Sequence, residues 1–421
     1  MIFVVWLLYI GALYLFSFAR YALAGMGIVL DMVPTILIHG ALFIGVSAIA
    51  KFGKKLLFKS KEQPVSVLVK KKSNVSIYGI VTVGFTAMQA LSNNGMLTRA
   101  FSGYLIPICA YIVLAVSLNL VVGISGELSL GHAGFMGVGA FTGIVVAACL
   151  KDVVESDFLR LVLAMFGGGI MAGIAGFVIG IPVLRLRGDY LAIVTLAFGE
   201  ILKNVVNSIY IGLDGKGLHF WMDRGSVALD EGGKMIINGS LGATGIQKIS
   251  TFLAGFLLVL FTLFVVLNLI NSKEGRAVKA VRDNRIAAES VGINVTAFRL
   301  KAFVVSACLA GMAGALFGLN FGSLQTSKFS YNESINILVY VVLGGMGNIM
   351  GSIISTVVLY LIPEFLRGLQ DLRMIIYALV LIIVMLFTWS PKFKAAVQVV
   401  TSWAQKQLGT ILKKKEVGDN G

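Results

Sequence analysis

Acidic residues are scarce in this chain: Asp and Glu number 20 against 35 Lys and Arg in 421 residues, and all charged types together make up 13%. So little charge excludes a long solvated or disordered protein. The three cysteines, Cys109, Cys149 and Cys308, all sit in apolar segments, at spacings that fit neither a disulfide framework nor a metal site. The three histidines, His39, His132 and His219, are too scattered to form a catalytic or metal-binding cluster. No phosphate-cradling G-x-x-x-x-G-K-[ST] run occurs, so the chain does not bind ATP phosphates through that loop. Alternating polar and apolar strands of about ten residues are also missing, which excludes a β-barrel.

Long apolar runs are abundant. The chain is 57% hydrophobic, and segments of about twenty residues recur, each long enough to cross a bilayer. The expected class is all-α: a polytopic transmembrane helical bundle of roughly ten crossings with broken or re-entrant helices. The 49 glycines suit close helix packing in lipid. The net charge of +15 is accounted for by basic cytoplasmic loops and carries no implication of nucleic-acid binding.

Read in order, residues 1–74 give a hairpin of crossings near 2–19 and 27–50, followed by a lysine-rich cytoplasmic loop. Residues 1–20 are apolar with no basic region before them, which reads as a first crossing and not as a cleaved leader. The main membrane domain occupies 75–390, with crossings near 75–92, 100–122, 159–184, 190–211, 250–271, 300–322 and 373–390. Residues 212–249 have balanced charge and glycine-rich composition, so they are expected outside. Residues 391–421 form a basic cytoplasmic tail. For the tail to lie inside, residues 333–362 must dip in and return, and the GGMGN break at Gly344 to Asn348 splits them into two short helices.

Three stretches stand out from the hydropathy. In 119–141, Gly123, Gly126, Gly131, Gly134, Gly137 and Gly139 oppose a straight helix and allow an unwound turn or a close backbone approach. Glu127 and His132 lie in or beside that break. They are functional candidates, or else they cap helix ends at the cytoplasmic interface. In 182–203, Pro182 suits a bend, Arg185 and Arg187 mark the inner interface, Asp189 can cap the following helix, and Glu200 and Lys203 can pair three residues apart. The third stretch, 273–301, is a polar island between crossings. Its cations Arg276, Lys279, Arg282 and Arg285 recur every third residue opposite small apolar side chains. Asp283 or Asn284 can cap a second helical turn, Gly292 can stop it in the left-handed conformation, and Asn294 or Thr296 can cap the next crossing. The island reads as a short amphipathic helix pair at the membrane surface: either a plain basic loop or a docking surface.

Together these stretches resemble the M-type permease subunit of the branched-chain amino acid ABC importers, over most of residues 100–390. Asn119, Gly123, Gly126, Ser129, Leu130, Gly131, His132, Ala133 and Phe135 stand in the order of one family motif. RLRGDYLAIVTLAFGEI from Arg185 to Ile201 matches a second. Gly275, Arg276, Ala277, Arg282, Ala287, Ala288, Glu289, Gly292 and Ile293 match a third, and VLGGMG from Val342 to Gly347 a fourth. The turn after the second motif departs from the family, reading GLDGKGLHF at 212–220.

The resemblance implies an ABC importer permease fold in the cytoplasmic (inner) membrane of a bacterium. It implies a heterodimer with a second permease subunit, two ATP-binding cassette subunits, and an extracytoplasmic solute-binding protein that delivers substrate. This chain would have no catalytic residue and bind no cofactor or metal, ATP being used by the partner subunits. Arg276, Arg282, Arg285, Ala287, Ala288, Glu289 and Gly292 would couple the chain to the ATPase, with Ala287 and Ala288 seated in its groove. Asn119, Gly123, Gly126, Glu127, His132, Gly344, Gly345 and Gly347, in the two broken segments, would border a mostly apolar translocation path. The expected cargo is a branched-chain or other hydrophobic amino acid. A relative moving urea, short amides or another small solute would share the scaffold. An ion-coupled secondary transporter would need coupling-ion sites near mid-membrane, and Glu127 and Glu200 are poor candidates for them.

Overall fold

The computed structural model describes residues 65–93 and 99–366, apart from 187, 216, 225, 226 and 228–232, and isolated positions between 375 and 382. The expected first hairpin, most of the lysine-rich loop, most of the last crossing and the basic tail lie outside the described residues.

The described chain is a helical bundle, as its composition requires. Its helices are α1 (Val65–Asn93), α2 (Arg99–Asn119), α3 (His132–Cys149), α4 (Asp157–Val183), α5 (Asp189–Asn207), α6 (Phe252–Asn271), α7 (Lys273–Asp283), α8 (Arg285–Ser290), α9 (Val295–Gly318), α10 (Tyr331–Gly344) and α11 (Ile349–Phe365). Among the described residues six helical stretches are long and apolar enough to cross a membrane: α2 with its continuation to Ser125, then α3, α4, α5, α6 and α9. At 24 residues α9 is about 36 Å long and spans a bilayer core, whereas α10, at 14, reaches only about 21 Å.

The centre of the bundle is where α3, α4 and α9 meet, and glycine sets their separation. A Cβ on Gly139 would lie 2.2 Å from the Gly311 carbonyl oxygen, one on Gly168 2.6 Å from that of Gly139, and one on Gly314 2.0 Å from that of Met136. Gly169, Gly173, Gly176 and Gly180 of α4, three or four residues apart, meet Met312, Cys308, Ala307 and Leu300 of α9, the helix contact that their spacing predicts. Around this core Leu114, Leu118, Leu161, Leu260, Leu263 and Leu316 are fully buried.

The 212–249 segment holds structure that its composition did not announce. Strands β1 (Tyr210–Asp214), β2 (Gly217–Trp221), β3 (Lys234–Asn238) and β4 (Ala243–Thr244) form an antiparallel sheet in the order β2-β1-β3-β4-β5, the last strand (β5, Ser323–Leu324) coming from the α9–α10 connection. Gly242 lets the chains close up: its φ is +74°, and a Cβ there would lie 2.1 Å from the Leu324 carbonyl oxygen. Helix α6 has this sheet before its N-terminus and α7 after its C-terminus. Sheet and polar island therefore occupy opposite ends of the bundle.

Candidate functional site

At the end of the bundle away from the sheet, three segments distant in sequence come together. α2 does not stop at Asn119 but widens into a π-helical turn, Leu120–Ser125, closed by Gly126 in the left-handed conformation at φ +76°. The wider turn fits the glycine break read from the sequence, since a π turn loosens the regular ladder and recurs where helices are interrupted. The chain then runs without helix through 127–131 before α3 starts at His132.

The second segment is the tip between α10 and α11. Gly345 and Gly347 have φ values of +92° and +83°, and Asn348 caps α11 by accepting from Gly351 N at 3.2 Å. Gly344 and Gly351 pack backbone to backbone, a Cβ on Gly351 meeting the Gly344 carbonyl oxygen at 1.8 Å. Tyr104, near the start of α2, donates to Glu364 Oε2 at the far end of α11 at 2.7 Å. The two short helices thus dip from the sheet end toward the island and return, as the parity argument expected.

Asn119 joins these two segments. Its Oδ1 accepts from Gly347 N at 2.7 Å and its Nδ2 donates to Ser352 Oγ at 2.8 Å, both amide ends being engaged in full burial. Gly123 makes room for this clamp: a Cβ there would lie 1.9 Å from Asn119 Oδ1 and 2.2 Å from Gly347 N.

The third segment is the island. Ser272, Asn284 and Asn294 cap α7, α8 and α9 by accepting from Gly275, Ala287 and Ala297 N, each at 3.1 Å. Gly292 ends α8 at φ +83°. Asn284, Asn294 and Gly292 are caps and a stop that the sequence predicted, Asn284 and Asn294 prevailing over Asp283 and Thr296; Ser272 was not foreseen. Arg282 leaves the island and donates from Nη1 to the Gly123 carbonyl at 2.8 Å, its aliphatic stem lying across Gly126. Widening of the turn frees carbonyls there, and a guanidinium can satisfy one of them.

Glu127 and Arg299 form an ion pair at 2.7 Å just below this bend, with side chains only 8% and 12% exposed. Burial pushes the Glu127 carboxyl up, while Arg299 and, farther off, Arg285 pull it back toward the charged form. His132 is buried with Nε2 2.9 Å from Ser117 Oγ, and Ser306 of α9 donates to the Ser117 carbonyl at 2.6 Å. Ser334 of α10 caps the start of α3 by accepting from Ala133 N at 3.0 Å, and Thr195 of α5 accepts from Leu130 N at 3.0 Å.

Two expectations need correcting. Asn119, Gly123 and His132 do not border an open path in this conformation. They are enclosed, and their polar atoms are spent on the clamp and on α2–α3 contacts. Ala288 does not face outward for docking: it packs inside the island against Val281 and Val295. The exposed apolar residues there are Ile286 and Val291, 80% and 74% exposed, beside the exposed Ala287. Val281 of α7 and Val295 of α9 close over Ala288 and account for its burial, while Arg285 and Glu289 pair at 2.9 Å. Arg276 and Gly292 are exposed. Sequence reasoning gave no role to Arg299, Ser334, Thr195 or Ser352. Thr195 stands within the second family motif; for the others the signal was a polar residue inside or beside an apolar run.

The family described as branched-chain amino acid transport system / permease component matches residues 100–385. The chain is 36% identical over 292 residues to the high-affinity branched-chain amino acid transport system permease protein LivM of Escherichia coli (strain K12), covering 67% of each chain. It is 37% identical over 294 residues to LivM of Salmonella typhimurium, again 67% of each. LivH of Salmonella typhimurium is 25% identical over 257 residues, covering 59% of this chain and 79% of that one. No solved structure matches. With more than half of its length matched, and with relatives above one third identity, the chain belongs to the family of branched-chain amino acid transport permeases.

Proposed function

We propose that this multi-pass membrane protein is the M-type permease subunit of an ATP-driven importer that carries branched-chain amino acids across the cytoplasmic membrane of a bacterium. The chain itself performs no catalysis and binds no cofactor. A second permease subunit pairs with it, and its similarity to both LivM and LivH supports a pair built from related chains. Two ATP-binding cassette subunits hydrolyse ATP and act on it through the island at 273–301. A solute-binding protein delivers cargo at the end that carries the sheet.

The observation that carries this reading is the bond from Arg282 to the Gly123 carbonyl. An importer driven by separate ATPases needs a rigid cytoplasmic element that passes motion to the membrane helices. The island is capped at every helix start, is continuous with α6 and α9, and grips the bend of α2 through Arg282. From Gly123 the contact passes to Asn119 and Gly347, and so to both broken segments. A shift of the island would therefore act on the clamp and open a path beside it. Ser125 and Ser129 on the bend have buried hydroxyls without a hydrogen-bond partner among the described residues, so the opened segment has polar groups to offer a zwitterion.

Two variants in the assembled complex test the reading. Ile286→Asp, on the exposed apolar face, should lose the co-purifying ATPase subunits. Arg282→Ala should keep them yet lower amino-acid uptake per ATP about ten-fold, a coupling loss of the usual size. Wild-type uptake by both variants would reduce the island to a solvated basic loop.

A further inference from the structure

Helices α4 and α5 leave much of their surface uncovered by the described residues, and the two surfaces differ in chemistry. From Leu159 to Ile181 every exposed residue of α4 is large and apolar, Phe166, Ile170, Ile174 and Phe177 among them. Such a face suits lipid tails. Helix α5 is the least buried of the membrane-spanning helices. Its exposed residues mix Ile201 and Val205 with Asn204. Glu200, Lys203, Asn204 and Asn207 are spaced so that they share one face of the helix. Glu200 and Lys203 pair with each other, and each is about one quarter exposed. The Asn204 amide has no hydrogen-bond partner among the described residues.

The start of α10 lies against this stripe. Glu200 Oε1 accepts from Tyr331 N at 2.8 Å. Glu200 stands two turns before the end of α5 at Asn207, a rise of about 10 Å. α10 therefore begins alongside the last turns of α5 and not above them, and it brings the exposed Asn332 close to the stripe. A charge pair and free amides at the level of the helices are costly against lipid, and polar groups there face another helix or a cavity. The described parts of the chain next to its other expected crossings lie elsewhere. α1 stacks Phe85 on Phe252 and Phe256 of α6, and the end of α11 is tied to α2 through Tyr104.

We propose that the flank formed by α5 and the start of α10 is the surface against which the second permease subunit packs, with the outer face of α4 left to lipid. The surface rests on the importer reading above. The partner it fits is a membrane chain related to this one, because two related chains can pack about a pseudo-two-fold axis that sets an element against its own counterpart. A stripe with both charges and an uncommitted amide is answered by a similar stripe: an amide both donates and accepts, and Glu200 and Lys203 can exchange partners across the interface. Ile201 and Val205 supply the close packing beside it.

The test uses this chain, tagged and purified from membranes with its partner subunits, with the photo-crosslinking residue p-benzoylphenylalanine in place of Ile201 on α5 or Ile170 on α4. Irradiation should join position 201 to a second, different chain of the permease family, identified by mass spectrometry, and should join position 170 to no protein. Ile201→Trp overfills the interface and should lower the co-purifying second permease about ten-fold, while Ile170→Trp should leave it unchanged. An adduct from position 201 to residues 1–64 or 367–421 of the same chain, to a second copy of this chain, or to no protein would overturn the surface. So would an adduct with the second permease from position 170 alone, or normal co-purification by Ile201→Trp. A wild-type complex that holds a second permease but gives no such adduct sinks the surface and leaves the importer reading standing. A wild-type complex without one sinks the heterodimer reading, and the surface with it.

Discussion

The glycines shared by α3, α4 and α9 are crowded, as are Gly123 and Gly126 at the bend, yet the two sets hold the chain by different forces. In the three-helix core, Gly139, Gly168, Gly311 and Gly314 bring backbone against backbone with no side-chain hydrogen bond between them, and the gain is dispersion contact over a long seam. At the bend, Gly123, Gly126 and Gly347 clear space for directional contacts: Asn119 to Gly347 and Ser352, Arg282 to the Gly123 carbonyl, Glu127 to Arg299. A close-packed seam loses contact all along its length when it slides. A small set of hydrogen bonds can break together and re-form elsewhere at modest net cost, because each exchange replaces one partner with another. The core is therefore the fixed part of the molecule and the bend the part suited to move.

The strongest way to break this comparison is to add bulk to the seam. Gly314→Val forces a side chain into the Met136 carbonyl and should cost more than about 3 kcal/mol. The expected outcome is loss of folded protein from the membrane, read by fluorescence-detected size exclusion. A normal elution profile would mean that the seam yields and is not the rigid half. Next in size is Glu127→Ala, which leaves the Arg299 guanidinium buried without its partner, at a cost of about 3 kcal/mol. The protein should still insert but melt earlier, and Glu127→Gln should recover part of the loss. Smallest is Asn119→Ala, which leaves Gly347 N without an acceptor and costs about 2 kcal/mol. Here the comparison sharpens. Stability should fall less than in Glu127→Ala, while uptake by the complex should fall more than that loss of stability explains, because the clamp connects the two broken segments. Equal loss in the two measurements would assign Asn119 to packing alone.

Much of this arrangement was legible in the sequence because it rests on local rules. Asn284, Gly292 and Asn294 mark the island's caps and stop, and the glycine spacing from Gly169 to Gly180 marks a helix contact. The pairing of Glu200 with Lys203 follows from their separation alone. Contacts that depend on the whole fold were not legible. Arg282 and Gly123 are 159 residues apart, and Asn119 and Gly347 are 228 apart. Nothing local distinguishes Arg282 from Arg276, which remains near its own helix and donates to Asn271 O at 3.3 Å. The sheet was missed for a similar reason. β4 has two residues, and its neighbour β5 lies about eighty residues farther along, so no window of sequence contains the pair. Ala288 was read as outward because composition shows that a residue is small but not which way a six-residue helix turns it.

The pairing of β4 with β5 has a mechanical consequence. It ties the chain just before α6 to the chain just after α9, while the opposite ends of those two helices are joined through the island. The helices and their two ties make a closed linkage with one stiff end. With α9 held in the seam, a pull on the island acts on α6 at the end away from this tie, about one membrane thickness from Ala243 and Leu324. The backbone near Gly242 can then stay still while the island end, and through Arg282 the bend at Gly123, takes up the displacement.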